Sequence, residues 1–325
     1  MKIPRRQFLH LAAGAAAFPA GSRVASAQSY PTRPVRIVVG YAAGGGTDLV
    51  ARLMGQWLSE RLGQQFVIEN RTGAATNIGT EAVAHAPADG YTLLLAHTAN
   101  AINATLYEKL NFNFIRDITP VAGIMRVPNV MVVNPSLPAK TVREFIAYAK
   151  ANPGKINMAT GGAGGADHMC GELFKMMAGV SMVHVAYRGQ SPALTDLLGG
   201  QVDMMFATAA AASSQVAAGS LRALGVTTPR RAPALKEVPA IAETVPGYSV
   251  ESWYGLFVPA ATPADVIGVL NAAATKATQT AEFRKMLEPE GLTVSAGTPA
   301  ELADFVGAET ARWSRVVKEN NVKSD

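Results

Sequence analysis

The sequence of 325 residues predicts a two-lobed α/β protein in which each lobe is a mostly parallel sheet flanked by helices. Three observations predict this fold. Short apolar β-like runs alternate with helical patterns, the alternation begins again in the second half of the chain, and each half carries a glycine-rich segment between a strand and a helix. With 49% hydrophobic and 16% charged residues, the chain can form two cores of ordinary size.

The first glycine-rich segment, residues 41–48 (YAAGGGTD), follows a β-branched apolar run at residues 35–41 and opens a helical pattern. Glycines permit positive φ angles and close approach of a ligand, and the N–H groups at a helix start favour negative charge. Thr47 is predicted to be the N-cap, and Asp48 lies in the first turn, where the helix dipole favours an acid. The segment indicates either an anion site or an ordinary tight turn.

The rest of the first half continues the alternation. Strands are predicted over residues 65–69, 91–96 and 127–134, and helices over residues 76–86 and 141–151. His97, Thr98 and Asn100 follow the strand at residues 91–96, and open α/β sheets bind ligands at the carboxyl ends of their strands. These three residues therefore either contribute to a site or form a surface turn in which threonine and asparagine cap the next segment.

The second glycine-rich segment, residues 160–167 (TGGAGGAD), lies between a predicted strand at 156–160 and a predicted helix at 167–178. Further elements are predicted as strands over residues 183–186, 202–207 and 221–227 and as helices over residues 194–198 and 209–218. The run SWYGLFVP at residues 252–259 is followed by helical patterns over residues 263–277, 281–288 and 299–318. We expect the helical tail to return to the first lobe, because it needs an existing core to cover. Two glycine-rich segments in corresponding places favour a cleft with an anion site on each wall.

Residues 1–27 have the features of an export signal. Basic residues precede an alanine-rich apolar run that is too short to span a bilayer, and a small-residue cleavage site (ASA) precedes Gln28. Arg5 and Arg6 resemble the twin-arginine export pattern, so a periplasmic location is predicted. The segment holds four basic residues and no acid, so the formal charge of +5 falls to +1 without it. No basic stripe with interleaved aromatics indicates nucleic-acid binding, and no membrane insertion of the mature chain is predicted.

Side chains that would carry catalysis or metal binding are sparse. The single cysteine, Cys170, excludes an internal disulfide, and a buried helical thiol explains it better than a nucleophile with His168 as its base. Five histidines without clustered ligand spacing predict no metal site, and no cofactor is predicted. The sequence contains no GxSxG elbow, Walker lysine or dinucleotide fingerprint, so an exported α/β hydrolase is the less favoured alternative to a binding protein.

Several motifs occur in one order along the mature chain. They are GGGTD at residues 44–48, YRG at 187–189 followed by Pro192-Ala193, DLLGGQVD at 196–203 and SWYGLF at 252–257. As an ordered set they resemble the tripartite tricarboxylate transporter receptors of the Bug type, an extracytoplasmic solute-binding family. The resemblance implies a type II periplasmic binding protein fold, whose two lobes are joined by two crossing segments and close on a small organic acid.

The predicted domains are the signal at residues 1–27, a first lobe of residues 28–125 and 250–325, and a second lobe of residues 126–249, with the cleft between the lobes. The resemblance implies that backbone groups, hydroxyls and water hold the carboxylate more than an arginine clamp does. The predicted ligand-binding residues are Tyr41, Gly44, Gly45, Gly46, Thr47, Asp48, His97, Thr98, Asn100, Thr160, Gly161, Gly162, Tyr187, Asp203 and Thr208.

Four side chains keep two interpretations each. Asp203 and Asp48 either face the cleft, where they would favour a ligand with a hydrogen-bond donor, or hold their own turns. Arg188 either contacts an anionic ligand or is exposed at a strand end. Trp253 either lines the pocket or packs in the hinge, and we favour the hinge.

The predicted function is that of a monomeric periplasmic receptor that captures a small carboxylate by hinge closure. It would deliver the carboxylate to the small and large membrane subunits of a tripartite tricarboxylate-type transporter. A receptor that reports to a sensor kinase would have the same site and remains an alternative. The resemblance leaves open whether the ligand is a dicarboxylate, a tricarboxylate, an amino acid or an aromatic acid.

Overall fold

The computed structural model describes residues 30–44, 46–187, 189–232, 235–287, 293–295 and 297–324. The predicted export signal, Gly45 and Arg188 lie outside the described residues. The strands are β1 (Val35–Val39), β2 (Phe66–Asn70), β3 (Thr92–His97), β4 (Ile118–Val133), β5 (Asn157–Thr160), β6 (Val183–Ala186), β7 (Met204–Thr208), β8 (Arg222–Val226), β9 (Glu251–Pro259) and β10 (Thr293–Val294). The helices are α1 (Gly46–Leu62), α2 (Asn77–Ala84), α3 (Thr98–Leu106), α4 (Phe114–Asp117), α5 (Val142–Ala151), α6 (Ala166–Ala178), α7 (Gln190–Leu198), α8 (Ala209–Ala217), α9 (Ala264–Gln279), α10 (Ala281–Leu287) and α11 (Pro299–Glu319).

The described strands form one mixed sheet in the order β2-β1-β3-β9-β4-β7-β5-β6, with β8 and β10 also paired to β4. The strands β1, β2 and β3 are parallel to one another, as are β5, β6 and β7. Parallel strands joined by helical crossovers are what the alternating pattern predicted. The chain therefore has the predicted two-lobed α/β fold, with one parallel group of strands in each lobe.

The long strand β4 belongs to both lobes. Its first part pairs antiparallel with β9, as at Arg126 with Trp253, whereas Asn129 already pairs with Thr208 of β7. The strand β9 is antiparallel to both β3 and β4, so it joins the parallel group of the first lobe to the crossing strand. The predicted lobe boundary at residue 126 falls just before this change of partner and stays a prediction.

Helices cover both faces of the sheet and bury its apolar side chains. The helices α1 and α9 pack over the first lobe, where Met54 and Leu270 share a core with Ile37. In the core that runs between the lobes, Phe206 and Trp313 are fully buried, and α11 contacts α3 of the first lobe as well as α6 of the second. Burial of each large apolar side chain stabilises the fold by roughly 1.5–3 kcal/mol. The helical tail therefore packs on both lobes, whereas the sequence predicted that it returns to the first lobe.

Candidate functional site

Most of the predicted site residues lie near the carboxyl ends of the parallel strands of the two lobes. Gly164 of the second glycine segment packs against α3 of the first lobe so closely that a Cβ atom on it would lie 2.5 Å from Leu106 Cδ2. Across the same gap, burial raises the pKa of the Tyr41 hydroxyl, and the Asp167 carboxylate of the second lobe adds to this rise. The two glycine segments thus lie near each other where the lobes meet, as expected for opposite walls of the predicted cleft.

Three rings of the first lobe lie together beside this meeting point. Tyr41 stacks on His97 with ring centroids 4.7 Å apart and 9° between the planes, and Tyr254 of β9 tilts against His97 at 5.8 Å. His97 is the N-cap of α3: its Nδ1 accepts from Ala99 N–H (2.9 Å), while Asn100 Oδ1 accepts from His97 N–H (2.9 Å). Burial lowers the pKa of His97 to about 4, so the imidazole is neutral near pH 7.

The tautomer of His97 follows from this cap. Because Nδ1 accepts a hydrogen bond, the one proton of the neutral ring is on Nε2. Within the part of the chain that the structure describes, neither His97 Nε2 nor the Tyr41 hydroxyl has a hydrogen-bond partner. Both side chains are half-buried. Each of the two stacked rings therefore keeps one neutral donor for another group.

The side chain of Asp48 points toward the first glycine segment and forms hydrogen bonds there. Its Oδ2 accepts from Arg52 Nε (2.8 Å) and from Gly44 N–H (2.9 Å), and its Oδ1 accepts from Asn70 Nδ2 (3.0 Å). The Arg52 guanidinium, helped by the other donors, lowers the pKa of Asp48 to about 2 despite its burial. The carboxylate is 3% exposed and its contacts are internal, so we leave Asp48 out of the proposed ligand contacts.

The other residues of this segment divide into exposed and buried. Gly44 and Gly46 are exposed, and Gly44 has a φ of 88°, which favours glycine. The helix begins at Gly46, so Thr47 lies in its first turn, and the prediction that Thr47 is the N-cap is wrong. Thr47 is buried, and Gly45 lies outside the described residues.

The second glycine segment is held from within by the start of α6. Asp167 Oδ2 accepts from Gly161 N–H and its Oδ1 from His168 N–H (3.0 Å), while His168 Nδ1 accepts from Gly164 N–H (3.0 Å). Burial raises the pKa of Asp167, and these donors oppose the rise. The amides of Gly161, Gly164 and Gly165 already have acceptors within the protein, so this segment offers fewer N–H groups to a ligand than the sequence suggested.

Thr160 links this segment to the neighbouring strand. Its hydroxyl lies 2.7 Å from His184 Nε2 on β6, 3.3 Å from the Gly162 carbonyl oxygen and 3.4 Å from the Gly162 nitrogen. Gly162 has a φ of 144°, a conformation that L side chains rarely adopt. Thr160 itself is fully buried, so its hydroxyl supports the segment from below.

Thr98 and Asn100 act inside the first lobe. The fully buried Thr98 hydroxyl accepts from Trp253 N–H (3.0 Å), which joins the start of α3 to β9. Asn100 completes the cap with His97 and donates from Nδ2 to Thr80 Oγ1 (2.7 Å). Both side chains are used by the fold, so we withdraw them from the proposed ligand contacts. The alternative interpretation, that they cap the next segment, fits these bonds.

Tyr187 and Thr208 lie at the carboxyl ends of β6 and β7. The Tyr187 hydroxyl donates to Asp196 Oδ2 (2.7 Å), an interaction that raises the Tyr187 pKa. Thr208 is the N-cap of α8 and accepts from Ala211 N–H (3.4 Å). Both side chains are half-buried and stay candidates for the rim of the cleft.

Asp203 lies at the other edge of the sheet. Its Oδ2 accepts from Asn157 N–H (2.7 Å), and its own N–H donates to the Asn157 carbonyl (3.1 Å). These bonds hold the starts of β5 and β7, whereas Thr160 and Thr208 mark the ends of the same two strands. The prediction that Asp203 contacts the ligand is therefore withdrawn, and the interpretation that it holds a turn fits the geometry.

A loop that is not among the predicted site residues lies at the carboxyl edge of the first-lobe strands. The residues Ala74–Thr76, between β2 and α2, have φ angles of 45°, 48° and 84°, a strained run for residues other than glycine. Thr76 packs closely on Gly40: a Cβ atom added to Gly40 would lie 2.5 Å from the Cβ of Thr76. Below this loop, the buried Asn77 Nδ2 and Asn103 Oδ1 have no hydrogen-bond partner among the described residues. The signal that could have found the loop is its position between a predicted strand and a predicted helix.

Trp253 packs in the core between the lobes. It is 1% exposed and contacts Phe257 and, edge to face, Phe305 of α11. Cys170 is also buried, and burial raises the pKa of its thiol, which opposes a nucleophilic role. In the described ranges, no three histidine, cysteine or acidic side chains are grouped to hold a metal ion, and no helix is long and apolar enough to cross a membrane.

Two lobes that share crossing strands and face each other with polar loops define the class of solute-binding proteins that close on a small ligand. The model of the tripartite tricarboxylate transporter family receptor matches residues 50–322. The chain therefore belongs to this receptor family.

Individual relatives cover almost the whole chain. Protein BugT of Bordetella pertussis is 34% identical over 301 residues, 92% of this chain and 92% of the relative. The structure of R. palustris Rpa4515 with adipate has 37% identity and a TM-score of 0.81, and covers 91% of this chain and 100% of its own. MatC from Rhodopseudomonas palustris with bound malate has 33% identity and a TM-score of 0.78, and covers 89% of this chain and 100% of its own.

Proposed function

We propose that this protein is a periplasmic receptor that binds a small dicarboxylate between its lobes and delivers it to the membrane subunits of a tripartite transporter. The observation that carries this proposal is the pair of neutral donors, Tyr41 Oη–H and His97 Nε2–H, on stacked rings at the carboxyl ends of β1 and β3. The predicted export signal supports the periplasmic location. The adipate and malate in the two related structures support the ligand class.

Neutral donors suit reversible capture of a carboxylate. Each carboxylate oxygen accepts hydrogen bonds, and a bond between a neutral donor and a charged acceptor is stronger than one between two neutral groups. Arg52, the cation beside the first glycine segment, is already paired with Asp48, so it does not serve as a clamp. The half-buried position of Tyr41 and His97 reduces competition from water without isolating the ligand charge in the core.

Capture requires the lobes to move relative to each other. The lobes share β4 and are also joined through β9, so a small rotation about these strands would bring the second glycine segment onto a ligand held by the first lobe. A ligand that contacts both walls binds the closed state better than the open state and so shifts the population toward closure. Binding, not turnover, is the activity that this arrangement supports.

Calorimetric titration with adipate, malate, a tricarboxylate and an uncharged diamide tests the proposal. We expect binding of at least one dicarboxylate and none of the diamide. Tyr41→Phe and His97→Gln should each weaken binding about tenfold or more, because each loses one donor to a charged group. Tyr148→Phe, on α5 and away from the cleft, is the matched control. A folded protein that binds no carboxylate, or full affinity in both cleft variants, would contradict the proposal.

Delivery to a transporter needs its own experiment. Uptake of labelled dicarboxylate into vesicles that contain the small and large membrane subunits should depend on this protein. If the protein binds the acid but uptake is the same without it, the transport role is wrong and the sensing alternative gains support.

A further inference from the structure

A loosely paired arginine and glutamate lie where β4 passes from the first lobe to the second. Arg126 is on β4 and Glu251 is on β9. Along β4, the pairing with β9 ends at Pro128, opposite Glu251, and the pairing with β7 begins at the next residue. Both side chains therefore lie on the strands about which the lobes would rotate.

This ion pair is long and partly buried. Arg126 Nη1 lies 3.8 Å from Glu251 Oε2, and the two side chains are 33% and 18% exposed. The guanidinium carbon of Arg126 lies 4.1 Å from the centre of the Phe305 ring on α11, while Arg126 Nε is buried and has no hydrogen-bond partner among the described residues. Burial raises the pKa of Glu251, and Arg126 opposes the rise. Each charge is therefore less well compensated than in a short, hydrogen-bonded pair.

A second pair lies beside the first, on α11. Glu309 Oε1 lies 3.3 Å from Arg312 Nη1, and Glu309 Oε2 accepts from Trp313 Nε1 at 3.0 Å. Arg312 Nε and Nη2 are buried and have no hydrogen-bond partner in the part of the chain that the structure describes. Glu309 adds to the rise that burial causes in the pKa of Glu251, and Arg312 opposes that rise. The two pairs therefore form one group, the hinge cluster, which consists of Arg126, Glu251, Glu309 and Arg312.

The hinge cluster reaches both lobes. Burial raises the pKa of the Cys170 thiol on α6 of the second lobe, and Arg312 opposes this rise as well. Because α11 contacts α3 of the first lobe and α6 of the second, a rotation of the lobes changes its contacts with one of them. In the described arrangement Gly164 packs against Leu106 of α3, so the lobes are in contact while the guanidinium nitrogens of the cluster stay unpaired. Leaving a charged donor buried and unpaired costs free energy.

We propose that the hinge cluster opposes the arrangement in which the second glycine segment contacts α3, so that Arg126 and Arg312 are positioning residues that keep the ligand-free lobes apart. The inference rests on the proposed carboxylate-binding function. A rotation that parts the lobes lets water reach the unpaired nitrogens, whereas a ligand that contacts both walls stabilises the closed state. The apparent affinity is then reduced in proportion to the fraction of molecules that are closed without ligand.

Replacement of the first pair by uncharged side chains of similar length tests the proposal. In Arg126→Met/Glu251→Gln, the methionine keeps the packing on Phe305, and neither partner is left as an unpaired charge. We expect each acid that wild type binds, adipate or malate, to bind roughly three- to tenfold more tightly and by the same factor, because the closed fraction rises without a change in the cleft. Arg33→Met/Asp89→Asn removes an exposed ion pair of the first lobe and is the matched control. Calorimetric titration measures these affinities.

Small-angle X-ray scattering supplies a readout that a purely structural role would not move. Ligand-free Arg126→Met/Glu251→Gln should have a smaller radius of gyration than ligand-free wild type, and the two ligand-bound proteins should have the same radius. Arg312→Met removes the other two unpaired nitrogens and leaves Glu309 bonded to Trp313, so it should change affinity and radius in the same direction. It replaces the double variant if that variant does not fold.

Three results would overturn the inference alone: unchanged affinity and radius in the folded variants, weaker binding in them, or a changed affinity for only one of two acids that wild type binds. Wild-type protein that binds neither acid would overturn the proposed function. In that case the radii of the ligand-free proteins still decide whether the hinge cluster keeps the lobes apart.

Discussion

The two glycine segments use the same local device in different electrostatic surroundings. In each, an aspartate from the first turn of the following helix accepts an amide hydrogen bond from the loop: Asp48 from Gly44, and Asp167 from Gly161. Asp48 is also paired with Arg52, and its pKa is lowered to about 2. Among the described residues Asp167 has no lysine or arginine partner, and burial raises its pKa.

In the first segment the charge of the aspartate is neutralised by an arginine, whereas the second segment contains a buried acid that has no lysine or arginine partner among the described residues. An aspartate with a guanidinium partner stabilises its loop as a charged group, whereas a buried carboxylate without a cation depends on amide and imidazole neighbours. Two segments that look alike in sequence therefore differ in how charge and pH affect them. In the second segment, the amides of Gly161 and Gly164 donate to a buried acid and to a histidine.

The largest expected difference between the segments is in the unfolding free energy that is lost when a Cβ atom is added to one of their glycines. Gly164→Ala combines a φ of 72° with a Cβ that would lie 2.5 Å from Leu106, so we expect it to cost about 3 kcal/mol of unfolding free energy. Gly44→Ala has a comparable φ of 88° but no atom within 4 Å, so about 1 kcal/mol is expected. Urea unfolding measures both. Equal costs would show that contact between the lobes does not constrain the second segment.

The next difference concerns the two aspartates. Asp48→Asn removes the partner of Arg52 and puts an amide among three donors, so we expect a loss of about 2 kcal/mol. Asp167→Asn relieves a buried charge and keeps one acceptor, so its stability should stay within about 1 kcal/mol of wild type. Glu60→Ala at an exposed position of α1 is the control for unfolding by urea. A larger loss in Asp167→Asn than in Asp48→Asn would reverse the comparison.

The smallest expected effect is the pH dependence of stability, which has opposite signs for the two acids. The folded pKa of Asp48 is lowered, so its contribution is present above its unfolded pKa and is lost as pH falls toward about 2. The folded pKa of Asp167 is raised, so its contribution is present at low pH and is lost as pH rises through the folded value. The unfolding free energy, measured from pH 2 to pH 8, should therefore lose part of its rise with pH in Asp48→Asn. In Asp167→Asn it should lose part of its fall with pH. Identical pH profiles of the unfolding free energy in the two variants would contradict the difference in electrostatic surroundings between Asp48 and Asp167.

Much of the fold could be predicted because buried parallel strands leave a clear pattern. The run VRIVV became β1, and the runs after it alternate with helices as expected. The continuity of β4 could not be predicted, because one strand that pairs with different partners along its length looks the same in sequence as two shorter strands. The contact of α11 with both lobes likewise depends on how the lobes are arranged.

Prediction of the candidate site was less complete, because residue type and spacing do not reveal where a side chain points. Tyr41 and His97 lie at the strand ends and stay candidates, whereas Thr98 and Asp203 bond to the backbone of neighbouring strands. The stacking of His168 on His184 joins a helix to a strand, so no spacing rule indicates it. Residues other than glycine in a left-handed loop such as Ala74–Thr76 also leave no pattern.

We propose that the stacked rings of the first lobe hold a ligand carboxylate against the second glycine segment. A crystal structure with bound adipate or malate tests it most directly. We expect the carboxylate oxygens to lie about 2.7–3.2 Å from Tyr41 Oη and His97 Nε2, with the ligand enclosed between the two glycine segments. A ligand bound elsewhere, or in this cleft with neither donor in contact with a carboxylate, would contradict the account.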